Sequence, residues 1–157
     1  MKKLNLLLLL VVLTNTSFGQ WVTKNVDNGI DDPYRIAYCM STSDRGILKL
    51  EESGGEIAFY VAGNYFCSDY PIVDIGIKVG EETNRYRVIG RKSRDSKTVF
   101  LIDNLLAEER ADFLRDFKNA TSLTMRVNEE HCTDEYYKFI MTGSTKAFTF
   151  MLKEIGL

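Results

Sequence analysis

The chain has 157 residues, with 20 basic and 22 acidic side chains, one histidine, three cysteines and two prolines. A formal charge of −2 is not that of a protein built to hold nucleic acid or another polyanion over its whole surface. One histidine and no CxxC pair leave little from which to build a zinc site, and neither a G-x-S-x-G nor a P-loop frame is present.

The first 19 residues have the layout of a secretory leader. Lys2 and Lys3 supply the positive start, Leu4 to Leu13 is apolar apart from Asn5, and Ser17 and Gly19 place small residues at −3 and −1 of a cut before Gln20. An apolar run of about ten residues is too short to cross a hydrocarbon core of roughly 30 Å as a helix. No cysteine follows the cut, so lipid attachment there is not expected. The reading is therefore export to the periplasm or the exterior, with 20–157 as one domain and no transmembrane segment left in it.

Beyond the leader most segments alternate with period two. Gln20–Val26 is a short candidate strand. "PYRIAYCMS" offers Tyr34, Ile36, Tyr38 and Met40 as its apolar face, with Ala37 and Cys39 on the other. Gly46–Glu51 follows, then "EIAFYVAG" with Ile57, Phe59 and Val61, and "PIVDIGIKVG" with Val73, Ile75, Ile77 and Val79. Arg85–Arg91 and Lys97–Ile102 are shorter candidates. Late in the chain, "TSLTMRVN" offers Leu123, Met125 and Val127, and "EYYKFIMTG" offers Tyr137, Phe139 and Met141. Ser53-Gly54-Gly55, Gly63-Asn64 and Gly80–Asn84 supply turn chemistry between strands.

Two segments switch to helical spacing. "LLAEERADFLRDF" carries Leu106, Phe113, Leu114 and Phe117, and "GSTKAFTFMLKEIGL" carries Ala147, Phe148, Met151, Leu152 and Ile155 as one stripe. Ser144 or Thr145 is placed to cap the second helix, and Lys153 suits its C-terminal dipole. The fold class expected is mainly β: an antiparallel β-sandwich, or a partly open barrel, of about eight or nine strands. One helix falls between late strands and another closes the chain over an apolar end or face.

Several of these residues together resemble a known layout. "QWV" begins the mature chain, "DDPYRIAYC" follows, and "FLRDFKNATSLTMRV" precedes "YYKFIMTGSTKAFTFML". A starting Trp, a central sandwich and a closing Phe-x-x-x-Gly-x-x-x-Ala into a helix is similar to two groups of exported bacterial proteins. These are the invasion-associated locus B family and the periplasmic accessory proteins of type VI secretion, the VasI group. The matching positions are Trp21, Phe139, Gly143 and Ala147, while the cysteines follow neither family's pattern closely. The resemblance implies a non-enzymatic accessory or binding role without a cofactor. It transfers no catalytic residue, because the matching positions carry no chemistry.

Among the cysteines, Cys39 reads as a small buried residue inside a strand. Cys67 and Cys132 both lie in polar connections, and in an oxidising compartment they form the preferred disulfide pair. Glu129, Glu130, His131, Cys132, Asp134 and Glu135 crowd donor groups into one segment, but without a second cluster they read as an acidic solvated turn rather than a metal site. Asp27, Asp31 and Asp32 lack EF-hand spacing, and turn chemistry accounts for them without calcium.

Arg85, Arg87, Arg91, Lys92, Arg94 and Lys97 form a basic strand–turn–strand, with Arg85, Arg87 and Arg91 on one strand face. Such a ribbon on an acidic protein suits an envelope protein, an anionic glycan or a lipid headgroup, and otherwise serves as a solvated outer face. The function expected is a non-enzymatic binding or accessory protein of the cell envelope that uses no cofactor. The alternatives are a hydrolase using surface carboxylates and a metal-binding protein using the His131 segment.

Overall fold

A strand that alternates apolar and polar residues has one face to hide from water, and two sheets of such strands hide each other. The computed structural model describes residues 21–27, 29, 33–43, 45–53, 56–101, 105, 107–130 and 132–153. The leader, Asp31, Asp32, Gly54, Gly55, Leu106, His131 and Ile155 lie outside the described residues.

The elements in chain order are β1 (Val22–Val26), β2 (Tyr34–Met40), β3 (Ile47–Ser53), β4 (Glu56–Ala62), β5 (Ile72–Val79), β6 (Glu82–Ile89), β7 (Arg91–Lys92), β8 (Thr98–Leu101), α1 (Ala107–Asn119), β9 (Ser122–Asn128), β10 (Glu135–Ile140) and α2 (Ser144–Leu152). They form an antiparallel β-sandwich. The larger sheet has six strands in the order β1-β2-β3-β4-β8-β7, and the smaller has four in the order β10-β9-β5-β6. Short β7 separates from β6, which brings the strands among the described residues to ten where about eight or nine were expected.

The core lies between the sheets. Leu48, Leu50, Phe59, Val61, Val99 and Leu101 face it from the larger sheet. Val73, Ile75, Ile77, Leu123, Val127 and Phe139 face it from the smaller one. These are the inward positions that alternation picks out in β4, β5, β9 and β10. Each fully buried side chain of this size contributes about 1.5–3 kcal/mol relative to exposure.

Strand β2 reverses its expected face. Ala37 and Cys39 are buried, whereas Tyr34, Ile36 and Tyr38 are half-buried on the outside and Met40 is exposed. The face of Tyr34, Ile36, Tyr38 and Met40 is the more apolar one, and the other carries Arg35, so the strand's own pattern points the wrong way. Pairing settles it: Ala37 lies opposite Leu50 and Cys39 opposite Leu48, and those leucines point inward. Burial pushes the Cys39 thiol up to about 12.

The same inward face carries an arginine. Arg35 lies opposite Glu52, its Nη2 is 2.9 Å from Glu52 Oε2, and the two side chains are only 11% and 8% exposed. Arg35 Nη1 also donates to the Phe150 carbonyl of α2 at 3.3 Å, so the closing helix is tied to the pair.

The two helices fill the gap left by the sheets. Phe113 and Phe117 of α1 meet Phe59 of the larger sheet edge-on, and Phe113 meets Tyr86 of the smaller sheet likewise. Trp21 packs edge-on against Phe117. Helix α2 buries Ala147, Phe148 and Met151 as expected. Its N-cap, however, is Gly143 at φ 90, and neither Ser144 nor Thr145 caps it. Their hydroxyls donate instead to the Lys118 carbonyl at 3.3 and 2.9 Å, satisfying an orphan acceptor near the end of α1.

Segment Arg85–Arg91 is not one strand. The chain leaves the smaller sheet after Ile89 and enters the larger one at Arg91. Gly90 makes the passage possible, because a Cβ there would lie 2.3 Å from Val99 Cγ1 and 3.4 Å from Val73 Cγ2. The turn expected at Gly80–Asn84 is also tighter: Val79 pairs with Glu82, so β6 resumes at once.

Candidate functional site

The outer face of the smaller sheet gathers cations from all four of its strands. Register places Tyr136, Arg126, Asp74 and Arg87 in one row across β10, β9, β5 and β6. The next row reads Lys138, Thr124, Gly76 and Arg85, and the one after it Ile140, Ser122, Lys78 and Thr83. A hollow of about 680 Å³ is centred here, with Arg85, Arg87, Arg126, Thr83, Thr124 and Tyr136 on its walls. Gly76 forms its floor: a Cβ at that position would sit 2.8 Å from Thr124 Oγ1.

The interior positions Arg85 and Arg87. Asn84 Nδ2 and Tyr86 Oη on the inward side of β6 donate to Asp116 Oδ2 of α1 at 2.7 and 2.6 Å. Asp116 is buried, so this three-residue contact holds the edge strand to the helix. Burial, reinforced by the bond to Asp116, raises the Tyr86 phenol above its ordinary value. With Asn84, Tyr86 and Val88 turned inward, the alternation of β6 turns Arg85 and Arg87 outward.

Two of the cations are tethered. Arg87 Nε donates to Asp74 Oδ1 at 2.6 Å, and Asn128 Nδ2 donates to Asp74 Oδ2 at 3.0 Å. The bond from Arg87 holds the Asp74 carboxyl below its ordinary value; burial opposes it, and the bond from Asn128 adds a smaller lowering. Arg126 donates through Nε and Nη2 to Asp134 Oδ2 at 2.9 and 2.7 Å and lies 5.7 Å from the Tyr136 ring centre. That bond also holds Asp134 low. Among the described residues, Arg85, Lys78 and Lys138 have no carboxylate partner.

The basic ribbon read from the sequence is thus divided. Arg85 and Arg87 belong to this face. Arg91 lies on the outer face of the larger sheet, 5.1 Å from the Phe100 ring centre, beyond the Gly90 crossing. Lys92 is half-buried; its Nζ donates to the Cys67 carbonyl at 2.8 Å and pairs with Asp69 at 3.0 Å. Arg94 is exposed in the β7–β8 turn, with Lys97. Sharing of one face by Arg85, Arg87 and Arg91 therefore does not hold, because the strand they were placed on changes sheets. The residues the ribbon missed are Arg126, Lys138, Lys78 and Tyr136. Their outward direction was legible from alternation in "TSLTMRVN", "EYYKFIM" and "PIVDIGIKVG", but their meeting required the order β10-β9-β5-β6.

The acidic segment has been put to structural use. Cys67 and Cys132 form a disulfide with Cα atoms 6.4 Å apart, linking the β4–β5 and β9–β10 connections. Glu129 is buried, and its Oε2 accepts from the backbone N–H groups of Cys67 and Ser68 at 2.9 and 2.8 Å. Asp134 Oδ1 accepts from the Glu129 N–H at 3.2 Å. The expected solvated turn is therefore a latch, since two of its acids and its cysteine hold neighbouring chain. Glu130 is exposed. Among the described residues no group of three or more His, Cys, Asp and Glu side chains is placed to hold a metal. Asp27 accepts from the Gly29 N–H at 2.9 Å, an Asx turn.

Glycoside hydrolysis uses two carboxyl groups flanking the scissile bond. The described residues lining the large hollow include one carboxylate, Asp74, and Arg87 engages it. No helix among the described residues is long and apolar enough to cross a membrane. Comparison with protein-family models, with curated proteins and with solved structures finds no match to this chain.

Proposed function

We propose that this is an exported, non-catalytic binding protein of the cell envelope, which holds an anionic partner on the outer face of its smaller sheet. The observation that carries this reading is the convergence of Lys78, Arg85, Arg87, Arg126 and Lys138 from four strands around the Gly76 hollow, on a chain that is acidic as a whole. Repulsion among so many like charges is unfavourable unless a counter-charge is near, and Asp74 and Asp134 answer only part of it. An acidic protein, an anionic glycan and a lipid headgroup all meet that requirement.

Three further features support the reading. The leader-like start directs the chain outward, the Cys67–Cys132 bond suits an oxidising compartment, and the resemblance to exported accessory proteins implies binding without chemistry. The residues of that resemblance serve packing here: Trp21, Phe139 and Ala147 are buried, and Gly143 starts α2.

The test is retention of the mature protein on a sulfated-polysaccharide resin under a salt gradient. Arg85→Glu with Lys138→Glu should elute at distinctly lower salt. Arg91→Glu, on the other sheet, should elute near the parent. Equal retention of all three proteins would show that this face is not the binding surface.

A further inference from the structure

The cationic rows do not stand alone on their sheet face. The row beyond Arg126, Asp74 and Arg87 reads Asn128, Ile72 and Ile89, and both isoleucines point outward at 44% and 54% exposure. Tyr70, just before β5, is 67% exposed, and Tyr136, at the β10 end of the first charged row, is 63% exposed. Successive outward residues on a strand lie roughly 7 Å apart, so the apolar row abuts the row of Arg126, Asp74 and Arg87 directly.

We propose, resting on the reading above, that the anionic partner is a bilayer surface: Ile72, Ile89 and Tyr70 enter the headgroup boundary while Arg85, Arg87, Arg126 and Lys138 lie against anionic headgroups. A soluble anionic polymer requires only the cations. An anionic lipid surface uses both rows, because it offers negative charge at the headgroups and apolar chain just beneath them. Tyrosine suits that boundary, with an apolar ring and a polar tip. A two-stranded isoleucine pair also presents its branched side chains at low entropic loss, since their χ1 angles are already restricted.

Most of the carboxylates nearby are already engaged within the protein. Arg87 engages Asp74, Arg126 engages Asp134, and Glu129 is buried on backbone N–H groups. Glu130 is exposed at the rim of the smaller hollow that Tyr70 and Ile72 line, and Asp69 pairs with Lys92.

Co-sedimentation with vesicles of phosphatidylcholine alone, and of phosphatidylcholine with phosphatidylglycerol, tests the proposal, with soluble dextran sulfate as a lipid-free probe. The parent should bind the anionic vesicles and dextran sulfate but not the zwitterionic vesicles. Ile72→Ser with Ile89→Ser should keep its affinity for dextran sulfate and lose about tenfold or more for anionic vesicles. Arg85→Glu with Lys138→Glu should lose both. All four positions are exposed, and unchanged thermal melting confirms that the variants are folded.

If the serine variant binds vesicles as the parent does, or if the parent binds dextran sulfate and no vesicle, the lipid assignment is overturned and the anion-binding reading stands. If the parent binds neither probe, both fall.

Discussion

One arginine–carboxylate pair lies on the inner face of the larger sheet and another on the outer face of the smaller one, and their surroundings give them opposite roles. Arg35 and Glu52 face inward on β2 and β3, nearly out of water, and the arginine also donates to the helix carbonyl of Phe150. Arg87 and Asp74 face outward beside the Gly76 hollow, where the arginine side chain is 72% exposed. A charge inside has no water to fall back on if its partner is removed, whereas a charge outside can exchange its partner for a ligand. The inner pair therefore belongs to the fold, and the outer pair to a surface whose charges are open to exchange.

The largest effect is expected at the inner pair. Glu52→Ala removes a buried acceptor 2.9 Å from Arg35 and should cost about 3–5 kcal/mol, read by urea denaturation. Arg35→Met with Glu52→Leu should recover most of that loss, because both charges are then removed together. A Glu52→Ala protein as stable as the parent would mean that the pair is solvated and the contrast is false.

A smaller effect is expected where the latch supports the outer face from one side. Cys67→Ser with Cys132→Ser opens a loop spanning 65 residues, and the loss should be about 2–4 kcal/mol by the same measurement. Glu129 still binds the Cys67 and Ser68 N–H groups, so the anion affinity of the face should persist at temperatures where the variant is folded. Intact mass after alkylation of the denatured, unreduced protein should show one modified cysteine, Cys39. Three would contradict the bond.

The smallest effect on stability, and the sharpest on binding, is expected at the outer pair. Asp74→Asn should leave the melting temperature unresolved from the parent at neutral pH and raise affinity for an anionic probe by about a few-fold, chiefly through the on-rate. Acid tests the same point by titration. Arg87 and Arg126 depress Asp74 and Asp134, so their small contribution to stability is complete above the ordinary carboxylate value of 3.8. It is lost as pH falls through the lowered values in the folded protein. A melting series from neutral to acid should show Asp74→Asn losing less than the parent over that window.

Alternation by itself determined the sandwich class, the inward residues of β4, β5, β9 and β10, and the two helical stripes, because period and handedness act within a few residues of one another. Composition, by the same local chemistry, pointed to Cys67 and Cys132 as the disulfide pair, since both lie in polar connections while Cys39 lies in a strand. Alternation failed at β2, whose more apolar face turns outward, and at Gly90, where a run of basic residues crosses between sheets. Strand order belongs to the tertiary structure, because pairing β9 with β5 depends on long-range packing that no local period records. That pairing set Arg126 and Lys138 beside Arg85 and Arg87, and it turned four scattered strands into one cationic face bordered by isoleucine.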